Sequence, residues 1–183
     1  MNKGTKLRLE IHNILYDIFH KNISMNAKSI KSKLNLYDSK DIAFILNVCL
    51  NTMRYSFHLK KIINLYSKKK TKNHELILLS SAIAQIVYLD FKEYAVINCS
   101  VEVAKKLNIY HGFINSLLKK ICKDKERLFK LKITYNDLPI WFKENTKYLS
   151  KSDKDSFLKC ITEEPDIHIV FKNNKLIKNF EGN

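Results

Sequence analysis

A chain of 183 residues, 45% hydrophobic and with only three glycines (Gly4, Gly112, Gly182) and two prolines (Pro139, Pro165), is long enough to bury a core and too poor in turn formers for a sheet-rich fold. Its formal net charge of +15 points to a polyanionic partner. No stretch approaches the roughly 18 consecutive apolar residues of a membrane span, and the charged opening MNKGTKLRLEIHN lacks the apolar run of a signal peptide, so a cytoplasmic protein with no membrane partner is expected.

The helical expectation follows the chain. Near the N-terminus, Leu7, Ile11, Ile14, Leu15, Ile18 and Phe19 form one apolar stripe, leaving Lys6, Arg8, His12 and Asn13 on a basic face. From Asp38 to Arg54, the residues Ile42, Ile45, Leu46, Cys49, Leu50 and Met53 recur at helical spacing, with Asp38 or Ser39 able to cap the start. His74 to Leu89 is apolar nearly all round, as a helix in the centre of a bundle should be. Tyr94, Ile97, Val101, Ala104 and Leu107 then repeat near helical period. After Gly112, Phe113, Ile114, Leu117, Leu118, Ile121 and Cys122 face inward, and Ser116, Lys119, Lys120 and Lys123 face outward. About seven helices are expected through residue 135. Beyond Asn136 the composition shifts: Asp137 and Pro139 open a helix through about Leu149, Ser152 and Asp155 form a variant capping box, and Phe157, Leu158 and Ile161 lie on a second short helix. Residues 167–171, IHIVF, are β-prone and form one strand without a partner.

Abundant lysine, asparagine and isoleucine are what AT-rich coding produces, but coding drift does not explain how the charge is spread. Residues 1–72 hold 15 basic and 4 acidic side chains, 73–111 hold 3 and 4, 112–136 hold 7 and 2, and 137–183 hold 8 and 8. A polyanion is therefore expected against the N-terminal half and the segment after Gly112, because lysines that neutralise phosphates release condensed counterions. Cys49, Cys99, Cys122 and Cys160 lie too far apart for a CxxC site and are expected to be reduced. The six histidines show neither HxH nor HExxH spacing, so no metal is expected.

Several of these segments resemble one family in order. Arg8 matches the arginine that opens the family's first helix, Ser24 a small polar residue sixteen positions later and Asp41 an aspartate early in the third helix, which Arg54 closes in a pattern like G-x-L-R, with Asn51 in place of the glycine. Gln85 and Tyr88 resemble Y-Q-L-x-Y, with Ala84 replacing the first tyrosine. Ala95, Val96, Asn98, Val101, Glu102, Ala104 and Lys105 resemble A-V-N-x-x-V-E-x-A-K, and GFINSLLKK from Gly112 resembles G-F-V-N-A-V-L-R with Lys119 for the arginine. Pro139 and Trp141 match P-x-W-L, and 165–173 loosely resemble P-x-L-W-L-R-V-N. The family is the RsmB (Fmu/Sun) group of bacterial 16S rRNA 5-methylcytosine methyltransferases, whose N-terminal domain is NusB-like and shares its fold with the antitermination factor NusB.

The resemblance implies an all-α, NusB-like bundle over residues 1–135 that binds RNA, followed over 136–183 by a helical linker that stops where the methyltransferase linking domain would begin. An RNA surface of Lys3, Lys6, Arg8, Arg54, Lys119, Lys120 and Lys123 is expected from the basic residues off the buried stripes in the two charge-rich segments, with Arg8 as the leading candidate because the resemblance implies a basic first helix. Arg54 is equally placed to neutralise its helix C-terminus. Asn98, Glu102 and Asn115 are expected to tie helices by buried hydrogen bonds, and Trp141 to lie in the core. The Pro-Cys nucleophile and the glycine-rich turn for S-adenosylmethionine are both missing, since Pro139 precedes Ile140 and Pro165 precedes Asp166, so neither cofactor nor catalysis is expected. Three classes remain open: an rRNA-binding domain working with a separate methyltransferase domain, an antitermination factor binding RNA with a ribosomal protein, or a helical protein-interaction module.

Overall fold

The structure, a computed structural model, describes residues 1–68 and 70–163. The helices in chain order are α1 (Lys3–Lys21), α2 (Lys28–Leu34), α3 (Ser39–Arg54), α4 (Ser56–Tyr66), α5 (Asn73–Ile83), α6 (Glu93–Lys106), α7 (His111–Lys123), α8 (Lys125–Phe129), α9 (Ile140–Asn145) and α10 (Lys151–Cys160). No strand occurs among the described residues, and the β-prone 167–171 segment lies outside them. Among the described residues, no helix is long and apolar enough to cross a membrane.

Side-chain caps start the helices where the sequence supplies them. Asp38 accepts from the Asp41 amide at 2.8 Å, and Asn2 accepts from Thr5 at 2.8 Å, each satisfying one otherwise orphaned N–H. The scarcity of glycine is met by other residues that tolerate the left-handed region, with Asn22, Asp90 and Asn108 at φ of 53, 52 and 54°.

At the centre stands α5, packed against α1, α3, α4, α6 and α7. Its Leu78, Leu79, Ala82 and Ile83 join one core with Leu59, Ile62 and Ile63 of α4, Val103 of α6 and Ile114, Leu118 and Ile121 of α7. Its Ile77 turns into a second core with Ile11, Ile14 and Leu15 of α1, Ile30 of α2, and Ile45 and Val48 of α3. At its end α5 widens into a π turn, Ala84–Tyr88, in which the Leu89 amide donates to the Ala84 carbonyl at 3.1 Å. This turn lays Tyr88 on Tyr55 with ring centroids 3.8 Å apart.

Two expected stripes sit rotated. On α3 Leu50 is 49% exposed, while Val48, Asn51 and Thr52 are buried. On α6 Tyr94 is exposed and Val96, Cys99, Ser100, Val103 and Ala104 are buried. The reason is that buried hydroxyls are satisfied by their own helices: Thr52 donates to the Val48 carbonyl at 2.7 Å and Ser100 to Val96 at 2.8 Å. Such residues enter a core without any apolar signal.

The first helix buries more than its stripe. His12, expected on the basic face, is 1% exposed. Its Nε2 lies 3.0 Å from His74 Nδ1, and Tyr16 stacks on His74 at 4.3 Å, closing the α1–α5 contact. Burial first, and the nearby His74 second, push its pKa down to about 4.

After α8 the chain continues into the helical extension. The helix expected from Asp137 to Leu149 is divided: Tyr135–Asp137 make a 3-10 turn and α9 ends at Asn145. Leu138, before Pro139, is held extended at ψ 158°, as the proline ring requires of its predecessor. The cap of α10 is Ser150, accepting from the Asp153 amide at 3.1 Å, rather than Ser152. Lys61 of α4 fastens the extension to the bundle, its Nζ 2.7 Å from Asp137 and 3.1 Å from the Lys132 carbonyl.

Candidate nucleic-acid interface

The seven candidate side chains do not form one patch. Lys3 is exposed, but its Nζ pairs with Asp41 at 2.9 Å and Asp38 at 3.4 Å, so its charge is partly answered within the protein. Lys6 is exposed and has no ion-pair partner among the described residues.

Arg8 requires a correction. Expected on an exposed basic face, it is 9% exposed. Its guanidinium donates to the Gly4 carbonyl at 3.2 Å, lies 5.3 Å from the Phe44 ring centroid, and rests against the Cys99 thiol. The cause is that α1 is covered on two sides, by α3 carrying Phe44 and by α6 carrying Cys99, so its buried arc is wider than its apolar stripe. Burial pulls the guanidinium pKa below its usual value. Gly4 makes room for it, since a Cβ there would stand 3.3 Å from Arg8 Nη1. Arg8→Ala is therefore expected to cost about 1–2 kcal/mol of stability, through lost packing and a lost hydrogen bond, whereas Lys6→Ala should stay within about 0.5 kcal/mol. Denaturant midpoints of the two variants check this, and equal midpoints would rule out a structural role for Arg8.

Arg54 stands in the last turn of α3, its Nη1 donating to Asn51 Oδ1 at 3.4 Å. Asp41, which holds Lys3, lies thirteen residues earlier on that helix, so about 20 Å of axial rise separates the two ends. Arg54 and Lys3 belong to different regions of the surface.

On α7 the expectation holds. Ile114, Leu117, Leu118 and Ile121 are buried, and Lys119, Lys120 and Lys123 project outward with no ion-pair partner among the described residues. α6 lies between α7 and α1, packed on both. The N-terminal amine and His111, at the start of α7, are both within electrostatic reach of Glu102. Lys119 and Lys123 lie eight and twelve residues further along α7, about 12 and 18 Å by helical rise. The α1 lysines thus sit near one end of α7 and the lysine row near the other.

Sequence reasoning missed the surroundings of that row. The first turn of α6 abuts the last turn of α7, where burial first, and the neighbouring Glu93 carboxylate second, push the Cys122 thiol up to about 12. A 390 Å³ cleft follows, lined by Glu93, Lys123, Asp124, Lys125 and Arg127 among others. Arg127 Nη2 donates to Tyr66 Oη at 2.9 Å and to Asp124 at 3.1 Å, and Lys125 pairs with Asp90. Tyr94, the residue after Glu93 on α6, is 79% exposed. A lysine row, an arginine-bearing corner and an exposed ring are the parts used to track a phosphate backbone and stack an unpaired base. The signal was present in the 7-to-2 basic excess of residues 112–136.

Other expectations change. Asn98 and Glu102 are exposed rather than buried ties, Glu102 pairing with Lys105 at 2.7 Å, and Asn115 is half-buried. Trp141, expected in the core, is 66% exposed. Cys49 and Cys99 are buried, Cys122 is half-buried and Cys160 is exposed; all four are free thiols. Among the described residues, no group of three or more His, Cys, Asp and Glu side chains is placed to hold a metal ion.

Compared with known families, residues 5–123 match the NusB family. No curated protein matches the chain.

Proposed function

Because the chain belongs to the NusB family of RNA-binding helical domains, we propose that it binds ribosomal RNA as a targeting domain and carries no catalytic centre of its own. The bundle over residues 1–135 makes the RNA contact, and residues 136–163 act as a helical linker. The observation that carries this reading is the row Lys119, Lys120 and Lys123, unpaired by carboxylates among the described residues, with Arg127 on the cleft that Lys123 lines and Tyr94 exposed on the adjoining α6. Support for a methyltransferase-like context comes from the extension, where Pro139 and Trp141 follow the bundle as in the RsmB group and Ile140, Trp141 and Tyr148 stand exposed. A separate methyltransferase domain is the partner this reading favours.

The test is fluorescence anisotropy with 16S rRNA fragments and with length-matched unrelated RNA, at several salt concentrations. Tighter binding to an rRNA fragment, with a log-log salt slope of roughly −3 if four to five phosphates are neutralised, is the expected result, together with no heat of S-adenosylmethionine binding by calorimetry. Equal affinity for all RNAs, with tightening only when a ribosomal protein is added, would favour the antitermination-type reading. Absence of RNA binding would leave the protein-interaction module.

A further inference from the structure

Between the bundle and the returning helix α10 lies a cleft of about 400 Å³, walled on one side by His58 of α4 and the 132–133 segment and on the other by α10. Its volume falls within the roughly 300–1,000 Å³ typical of small-ligand sites. Lys61 holds the near wall in place through the Lys132 carbonyl, so the cleft is part of the fold rather than a gap at a loose end.

The chemistry of the walls is divided by kind. Ile133 and Leu158 supply apolar surface from opposite sides, suited to the two faces of a flat ring. His58 is only 8% exposed, held edge-on to Tyr55 and Tyr88 at 6.0 and 6.3 Å, and its buried Nδ1 has no hydrogen-bond partner among the described residues. A buried polar atom without a partner calls for an explanation, and a polar group entering beside the ring is one. A neutral imidazole offers one donor and one acceptor, and Asp155 adds a carboxylate, together a match for the mixed edge of a nucleobase. Lys132 and Lys159 bring two cationic groups to the same opening. Lys132 has no ion-pair partner among the described residues, and Lys159 holds Glu163 only loosely at 3.6 Å.

We propose that this cleft holds a single nucleotide, its base between Ile133 and Leu158 with its edge toward His58 and Asp155, and its phosphate on Lys132 and Lys159. An unpaired RNA nucleotide splayed from its strand and a free mononucleotide share that chemistry; only the first depends on the RNA-binding function proposed above. The site lies on the extension side of α4, outside the α7 lysine row, and gives the extension a binding role that a passive linker would lack.

The full-length chain, isotope-labelled, is titrated with cytidine and adenosine 5′-monophosphate while the His58 ring and the Ile133 and Leu158 methyl resonances are followed. Saturable shifts of these resonances are expected, with at least tenfold weaker binding of the phosphate-free nucleosides and of the Lys132→Ala/Lys159→Ala variant. Both lysines are exposed, so that variant should keep its helical circular dichroism; His58→Gln, retaining a donor and an acceptor, should bind with altered base preference. Displacement of the monophosphate by single-stranded RNA identifies an RNA nucleotide as the occupant, and its retention identifies a free one. If the chain binds no RNA yet the monophosphates shift His58, the ribosomal RNA function fails and the nucleotide site stands. The site is refuted by His58, Ile133 and Leu158 signals that stay unmoved both by the monophosphates and by an RNA the chain demonstrably binds.

Discussion

Replacing Lys119, Lys120 and Lys123 together by alanine is expected to weaken binding to single-stranded RNA about a hundredfold at 0.1 M salt and to flatten the log-log salt dependence by about two units, since each phosphate contact on a single strand contributes about 0.7 to that slope. The three side chains lie on the outer face of α7 and none is paired with a carboxylate among the described residues, so little internal charge pairing is lost and the bundle should keep its stability. The control is the triple replacement of Lys147, Lys151 and Lys154 in the extension, where basic and acidic residues balance. Losses of equal size from both triples would mean that RNA senses only total charge, and the α7 interface would have to be abandoned. Lys3 should contribute less than Lys6, because Asp38 and Asp41 compete with phosphate for its ammonium.

A second large effect concerns acid. His12 is buried, and its folded pKa of about 4 lies below the value near 6.5 of an unfolded histidine. The fold therefore favours the neutral ring. Its contribution is fully present above pH 6.5, is lost progressively as pH falls from about 6.5 toward 4, and changes no further below that. Each pKa unit is worth about 1.36 kcal/mol, so the gap corresponds to about 3 kcal/mol across this window. His58, lowered chiefly by burial, adds in the same direction. Urea unfolding at pH 7.5 and pH 4.5 measures the loss, and His12→Leu should remove most of it. A leucine variant as acid-sensitive as the parent would show that the α1–α5 contact is not where the protons enter.

Much of this fold was legible because packing and pattern agree. The α7 stripe predicted the buried Ile114, Leu117, Leu118 and Ile121, the half-buried Phe113 and Cys122 at its edges and the outward lysines, and the all-round apolar character of 74–89 marked the central helix. The misplacements share a cause, which is that a stripe records side chains and not neighbours. Arg8 and His12 went inside because α1 meets helices on two flanks, an arrangement set by residues nearly forty to ninety positions away. Trp141 stayed outside because its neighbour Phe142 occupies the inward position, stacked on Phe157 at 4.6 Å, and adjacent helical residues point about 100° apart. For the candidate interface, the charge count pointed to the segment that carries the outward lysine row. It could not separate Lys3, answered by two aspartates, from Lys119, answered by none among the described residues, because ion pairing is decided across helices.

The widened turn at Ala84–Tyr88 has a consequence for how the chain is counted. Such a turn carries one residue more than an α-helical ladder uses, so the positions before and after it are out of phase, and no single helical wheel drawn over 74–89 describes both parts. Upstream of it, phase is set by the contacts of α5 with α1 and α4; downstream, by Tyr88 on Tyr55 and by α8 against the turn. Removing one residue would restore an ordinary helix and swing Tyr88 about 100° off its partner. Here the spelling of the segment is freer than its length: a changed letter alters one contact, while a dropped one shifts the phase of everything that follows.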